Sequence, residues 1–183
     1  MRSDQIQKTV YAALLGAMVF VATWVSFPTP FGGNVNMGDC ALLLAVFFPL
    51  EPWSIVACAV GASLTDLLGG YAVYAPATLV IKALMVAVGV CIKRVTSKLP
   101  SFVRALLCGV GAEVCMVVGY YVYEAFALYG AVAALANVPF NLLQGGVACA
   151  VACALLLVIS QMPLPRVLKE GHALFLHRFT KKQ

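Results

Sequence analysis

The stretch VYAALLGAMVFVATWVSF, residues 10–27, contains no charged residue and is long enough to cross a membrane as a helix. It is followed by Pro28, Pro30 and the pair Gly32-Gly33, which strongly break a helix. We therefore predict a membrane-spanning helix over about residues 6–27. No small-residue cleavage site with a polar mature start follows the stretch, so we expect a retained helix and not a cleaved signal peptide.

Five further apolar stretches are separated by proline, glycine or charged residues in the same way. They predict helices over about residues 36–50, 53–68, 76–95, 102–126 and 138–161. Pro76 suits the first turn of the fourth helix, and Glu51-Pro52 predicts a tight turn before the third. The second helix is short, but it and the third are too apolar to form anything except a buried hairpin.

The composition supports a membrane protein. The chain is 63% hydrophobic and only 10% charged, whereas a soluble domain carries about 25% charged residues. Such a surface suits lipid tails, which impose no penalty on exposed Leu, Val or Phe. We predict an all-α polytopic membrane protein. A single membrane domain, residues 1–183, forms a six-transmembrane-helix bundle with a basic tail at residues 162–183.

The positions of the basic residues predict the orientation of the bundle. Apart from Lys82, they precede the first helix, lie around the connection between the fourth and fifth, or follow the sixth: Arg2, Lys8, Lys93, Arg94, Lys98, Arg104, Arg166, Lys169, Arg178, Lys181 and Lys182. The positive-inside rule assigns these segments to the cytoplasm. Both termini are therefore expected to be cytoplasmic, which also requires an even number of spans.

The basic tail and the cysteines each have a simple interpretation. Anionic lipid headgroups account for the basic tail, so we expect membrane lipid and no nucleic acid as its partner. The seven cysteines lie in apolar runs without a CxxC motif, which is typical of small apolar residues between helices. Because His172 and His177 both lie in the tail, we predict no metal site.

Polar residues inside the predicted spans point to a solute site. An ionisable group at the bilayer centre costs about 2.5–3.5 kcal/mol on insertion scales, so such groups usually face the bundle interior. With about 100° of rotation per residue, Glu113, Tyr120 and Glu124 share one face of the fifth helix. Asn137, Asn141 and Gln144 share one face of the sixth.

Further polar residues fall at a similar depth, on the outer side: Thr78, Lys82 and Asp66 in helices, and Asn34, Asn36, Asp39, Tyr71 and Tyr74 in outer loops. The cluster predicts an outward-facing cavity for a small, polar, partly aromatic molecule. The candidate solute-binding residues are Asn36, Tyr74, Lys82, Glu113, Tyr120, Asn137, Asn141 and Gln144. Two alternatives remain open: interhelical hydrogen bonds without a solute, and a buried ion pair between Lys82 and Asp66.

Small residues on the first helix offer a close-packing face. Ala13 and Ala17 are one turn apart, with Gly16 beside them, and this spacing lets another helix approach closely. The approaching helix is either part of the same bundle or part of a separate membrane subunit.

The chain carries no motif for an energy source or for catalysis. It has no GxxxxGK[ST] sequence for ATP binding, no Ser–His or Cys–His pair within the membrane, and no visible inverted repeat. These observations fit best a solute-binding protein that is not an enzyme and that has no energy source of its own. The competing hypothesis is a self-sufficient secondary carrier coupled to protons through Glu113.

Three segments resemble a known family. NMGD at residues 36–39, GASLTDLLGGYAVYAPATLVIK at 61–82 and PFNLLQ at 139–144 are similar to the substrate-binding S components of energy-coupling factor (ECF) vitamin transporters. The subgroup with hydroxymethylpyrimidine and pyridoxine carriers is the most similar. The length, the six predicted helices and the Ala13-x-x-x-Ala17 spacing agree with this resemblance.

The resemblance implies the partners. S components of this family work in the bacterial plasma membrane with a transmembrane coupling subunit and two cytoplasmic ATPases, and those partners use ATP. This chain is expected to bind no cofactor. The first three helices are implied to face the coupling subunit, through Ala13, Gly16 and Ala17. The last three helices and the outer loops are implied to hold the vitamin.

Overall fold

A computed structural model describes residues 2–29, 33–48, 50–159 and 162 of the chain. Its helices are α1 (Arg2–Trp24), α2 (Gly38–Ala45), α3 (Trp53–Leu68), α4 (Ala75–Val95), α5 (Ser101–Tyr123), α6 (Ala131–Ala134) and α7 (Val138–Ile159). A π-helical turn, Glu124–Leu128, continues α5, and two short strands are β1 (Ser26–Pro28) and β2 (Asn34–Asn36). Most of the predicted basic tail lies outside the described residues.

Four of the predicted helices are confirmed with nearly the same bounds. These are α3, α4, α5 and α7, whose ends differ from the predicted ones by a few residues at most. Pro76 lies in the first turn of α4, where its missing N–H costs no hydrogen bond. Gly130, which precedes α6, has a positive φ of 85°, a conformation that residues with a side chain rarely adopt.

The connection after α1 is a β-hairpin, which includes residues 26, 27 and 36 that were predicted to be helical, because α1 ends at Trp24 and α2 begins at Gly38. β1 and β2 pair antiparallel, with Ser26 opposite Asn36 and Pro28 opposite Asn34. The amide of Thr29 donates to the carbonyl of Gly33 at 2.9 Å and narrows the hairpin near its tip. The pairing satisfies backbone groups that would otherwise need water at the membrane surface.

The second helix was predicted too long, although its predicted burial agrees with the structure. α2 begins at Gly38 and ends at Ala45, followed by a turn over Val46 and Phe47, and all eight of its residues are buried. Gly38 allows the close approach of α1, because a Cβ there would lie 2.1 Å from the Thr23 hydroxyl oxygen. α2 is therefore a short central element enclosed by the longer helices.

The other helices surround α2. α1 packs on α3, α3 on α4, α4 on α5 and α5 on α7, while α2 packs chiefly against α1 and α7 and also meets α3, α4 and α5. The core consists of buried apolar side chains from these elements, with Leu42, Leu43, Met85 and Met116 among the largest fully buried ones.

The length and composition of the helices fit a membrane protein. In the described residues four segments are long and apolar enough to cross a bilayer: Asp4–Trp24, Ala75–Val95, Ser101–Leu128 and Ala131–Ile159. α3 is apolar but has 16 residues, about 24 Å at 1.5 Å per residue. Many large apolar side chains of these helices point outwards, such as Leu14, Val80, Val118 and Leu142. The six-span topology and the cytoplasmic termini stay predictions.

Candidate functional site

A polar pocket lies where the β-hairpin, the connection between α3 and α4, the end of α5 and the start of α7 meet. The described residues that line it are Thr29, Gly33, Asn34, Asn36, Asp66, Tyr71, Tyr74, Thr78, Tyr120, Glu124, Asn137, Phe140, Asn141 and Gln144. Amides, carboxyls and aromatic rings thus surround one space. This combination can hydrogen-bond the edge of a small polar ring while stacking on its face.

The pocket is narrow in the described conformation. It encloses about 480 Å³ when its open mouth is included, but its free cavity measures only about 30 Å³. That volume holds about two water molecules. A ring-sized solute is larger than this free space.

The structure brings together most, but not all, of the predicted solute-binding residues. Those that line the pocket are Asn36, Tyr74, Tyr120, Asn137, Asn141 and Gln144. Lys82 and Glu113 do not line it. Whether the six lining residues contact a solute stays a prediction.

A hydrogen-bond network fixes Gln144 beneath the pocket. Its side-chain oxygen accepts from the backbone N–H of Asn36 at 2.8 Å, and its Nε2 donates to Oδ2 of Asp39. The side-chain oxygen of Asn36 in turn accepts from the N–H of Gly38 at 3.0 Å. The network joins the hairpin, α2 and α7, so the orientation of Gln144 depends on α2.

The ion-pair partner of Lys82 is Asp39 and not Asp66, the partner considered from the sequence. Its ammonium lies 2.5 Å from Oδ1 of Asp39, and the two side chains are only 3% and 1% exposed. Asp39, predicted to lie in an outer loop, is instead inside α2 and completely buried. A buried carboxylate needs a cation or several donors, and Lys82 with Gln144 supplies both.

The tyrosines form a second network on the opposite side of the pocket. The Tyr74 hydroxyl donates to Oε1 of Glu124 at 3.1 Å and lies 3.1 Å from the Tyr129 hydroxyl, while Tyr120 shares a 3.0 Å hydrogen bond with Thr78. Burial raises the pKa of the Tyr74 hydroxyl above its usual value, so Tyr74 remains a donor. Because that single proton goes to Glu124, Tyr129 must donate to Tyr74.

Sequence analysis missed several lining residues as candidates. Glu124 was expected on the same helical face as Glu113 and Tyr120, but it was not among the predicted solute-binding residues. Asp66 was interpreted mainly as an ion-pair partner of Lys82. No sequence pattern indicated Thr29 or Phe140 as lining residues, because their positions depend on how the hairpin packs against the start of α7. Thr29 donates to Oδ1 of Asn137 at 3.2 Å, a contact between residues 108 positions apart.

Glu113 lies outside the polar pocket, in an apolar groove between α5 and α7. The groove measures about 840 Å³, and its wall includes Val114, Leu142 and Cys149. Glu113 is 5% exposed, and within the described ranges neither of its carboxyl oxygens has a hydrogen-bond partner. Gly145 makes room for it, because a Cβ there would come within 3.0 Å of the glutamate side chain.

The three small residues of α1 do not share one environment. A Cβ on Gly16 would lie 2.6 Å from the carbonyl oxygen of Ala57, so Gly16 serves the close packing of α1 on α3. Ala13 and Ala17 are exposed on the outside of the bundle. The exposed pair remains available for a partner, whereas Gly16 is used within the chain.

We expect Asn141→Ala to weaken solute binding about threefold to tenfold without lowering thermal stability, since one neutral hydrogen bond is lost. The Asn141 side chain makes no hydrogen bond to another residue in the described part of the chain, so its removal leaves no internal partner unpaired. Titration calorimetry and thermal unfolding would measure the two effects. Leu142→Ala, an adjacent outward-facing change, is the control. Equal affinities for both variants would place the solute away from α7.

The fold and the pocket together define a class: an α-helical membrane protein with a polar, aromatic-lined pocket near one end of its bundle. Within this class, the family model described as "ECF-type riboflavin transporter, S component" matches residues 3–161. The match covers most of the chain, and the chain therefore belongs to the S components of ECF transporters. It is a transport subunit, as the resemblance implied, but the hydroxymethylpyrimidine and pyridoxine subgroup is not confirmed.

Two further comparisons found nothing similar. No curated protein and no solved structure matches the chain.

Proposed function

We propose that this S component captures a small water-soluble vitamin or vitamin precursor from outside the cell membrane. It releases the solute inside when it docks on a coupling subunit driven by two ATPases. The observation that carries the proposal is the convergence of amides, carboxyls and tyrosines on one pocket in a chain that is otherwise apolar. Family membership supports the partners, since S components associate with an ATP-driven module.

The vitamin is proposed to contain a flat heteroaromatic ring. Tyr71, Tyr74, Tyr120 and Phe140 offer aromatic faces around the pocket, and Asn141 offers a donor and an acceptor beside them. Riboflavin is one candidate because the matching family is described by it. Hydroxymethylpyrimidine and pyridoxine are the others, since the sequence segments resemble their carriers and a single ring needs less widening of a narrow pocket.

Docking is proposed to use the exposed Ala13 and Ala17 of α1. Their small side chains would let a helix of the coupling subunit approach closely. We also propose six membrane crossings with both termini in the cytoplasm. The ion pair between Glu51 and Lys93, 3.3 Å long, supports this topology because it joins the turn before α3 to the basic end of α4. That basic end is cytoplasmic by the positive-inside rule.

A proton-coupled carrier is the competing function. Its supporting observation is Glu113, a buried carboxyl whose two oxygens have no hydrogen-bond partner among the described residues. Glu113 lies in the apolar groove and not in the polar pocket. A carboxyl coupled to solute movement would be expected to face the solute, so the position of Glu113 favours the ECF function.

The proposal is tested by titrating the purified protein in detergent with riboflavin, hydroxymethylpyrimidine and pyridoxine. We expect one of the three to bind with a dissociation constant of about 1 μM or tighter, which corresponds to about 8 kcal/mol. Asn141→Ala supplies the site control. Dissociation constants weaker than about 1 mM for all three would contradict the proposed vitamin class.

A further inference from the structure

Glu124 places an unpaired oxygen in the pocket. The residue is 2% exposed and lines the polar pocket. Its carboxyl accepts hydrogen bonds from the Tyr74 hydroxyl, at Oε1, and from the Asn137 side chain, but among the described residues its Oε2 has no hydrogen-bond partner. Buried carboxylate oxygens without donors are rare in folded proteins, so this atom marks a position where a donor is missing.

A second acceptor in the same pocket is also unpaired. Oδ1 of Asn34, on β2 of the hairpin, is buried and has no hydrogen-bond partner in the part of the chain that the structure describes, and Asn34 lines the pocket. The hairpin and the end of α5 contribute these two atoms independently. Both unpaired atoms are acceptors, so the lining as built is short of hydrogen-bond donors.

The charged residues of the pocket lining also favour a ligand that carries no negative charge. Its described residues include two acidic side chains, Asp66 and Glu124, and no Lys, Arg or His. Residues 30–32 at the hairpin tip carry no charge in the sequence. Lys82 does not line the pocket, and its charge is balanced by the Asp39 carboxylate 2.5 Å away.

We propose that Glu124 is a specificity-determining residue of this pocket. The pocket takes a neutral or cationic ligand that donates an N–H or O–H hydrogen bond to Oε2 of Glu124, and it discriminates against the phosphate ester of the same ligand. A phosphate brings two negative charges and no donor to a lining that already carries carboxyls and unpaired acceptors. The inference rests on the proposed vitamin-binding function and adds the charge and donor character of the ligand.

The test compares each free vitamin with its own phosphate ester on the purified chain. The pairs are riboflavin with flavin mononucleotide, pyridoxine with pyridoxine 5′-phosphate, and hydroxymethylpyrimidine with its monophosphate. For the vitamin that binds, we expect the ester to bind at least about tenfold more weakly. Glu124→Gln should reduce that ratio at least about threefold, because it removes a charge while keeping the shape.

Two further variants sharpen the test. Glu51→Gln makes the same chemical change at the turn before α3, outside the pocket, and should leave the ratio unchanged. Asp66→Asn removes the other acidic side chain of the lining and should also reduce the ratio. It serves as the readout if Glu124→Gln does not fold, which thermal unfolding would show.

The outcomes separate this inference from the proposed function. Binding of a free vitamin, with equal binding of its ester or with a ratio unaffected in both pocket variants, would overturn the inference and leave the vitamin-binding function standing. Failure of all three free vitamins to bind the unaltered chain would overturn the proposed function and the inference with it.

Discussion

Lys82→Met should destabilise the protein by about 3–5 kcal/mol, the usual cost of leaving one member of a buried ion pair without its partner. In this variant the carboxylate of Asp39 would keep only the Gln144 amide as a donor. Methionine keeps about the volume of the aliphatic part of lysine and lacks the ammonium, so the loss would mainly reflect the missing charge. For a chain of this size, thermal unfolding in detergent should occur on the order of 10 °C lower.

Two further variants test whether the broken ion pair between Lys82 and Asp39 causes the loss of stability in Lys82→Met. Lys93→Met makes the same change in the same helix, where Lys93 and Glu51 are 15% and 21% exposed. Losing this ion pair and the hydrogen bond from Lys93 to the Val46 carbonyl should cost less, about 1–2 kcal/mol. Adding Asp39→Asn to Lys82→Met removes both buried charges and should recover much of the lost stability. An unfolding temperature for Lys82→Met no lower than that of Lys93→Met would contradict this account.

Ala17→Leu should abolish vitamin uptake by the assembled transporter while leaving vitamin binding to the isolated chain unchanged. Ala17 is exposed on α1 and contributes nothing to the pocket. A leucine there would separate helices that approach closely only over small residues. Ala13→Leu should act in the same way. Uptake in proteoliposomes and calorimetric titration would measure the two properties separately.

The matched control for the docking variants is Ala154→Leu, the same change at an exposed position of α7. It should leave both uptake and binding intact, because α7 is not proposed to contact the coupling subunit. Loss of binding together with uptake in Ala17→Leu would show that α1 shapes the pocket from a distance, and the docking proposal would then be abandoned.

Much of the fold could be predicted because long apolar runs between proline and glycine have few other solutions in a membrane. α4, α5 and α7 are examples, and their breakers lie at or near the expected ends. α2 could not be predicted correctly from its own residues. Pro49 is a local signal for an end before residue 50, because a proline disfavours the helical conformation of the residue that precedes it, but nothing local fixes the end at Ala45.

The site was partly predictable for a related reason. Helical periodicity placed Asn137, Asn141 and Gln144 together because Asn141 and Gln144 lie in the first turns of α7 and Asn137 immediately precedes that helix, accepting from the Asn141 N–H. Periodicity also placed Glu113 with Tyr120, although Glu113 is nearly two turns deeper and lies against Gly145 on the neighbouring α7. The sequence suggested Asp66 as the ion-pair partner of Lys82, and only the position of α2 in the structure identified Asp39 instead.

The central claim is that this chain binds a vitamin but has no energy source of its own. The most direct measurement is vitamin accumulation in proteoliposomes, with the chain alone and with the coupling subunit and both ATPases. We predict accumulation only when the whole module and ATP are present, and no effect of a proton uncoupler. Accumulation by the chain alone, collapsed by the uncoupler, would contradict the claim and support a proton-coupled carrier.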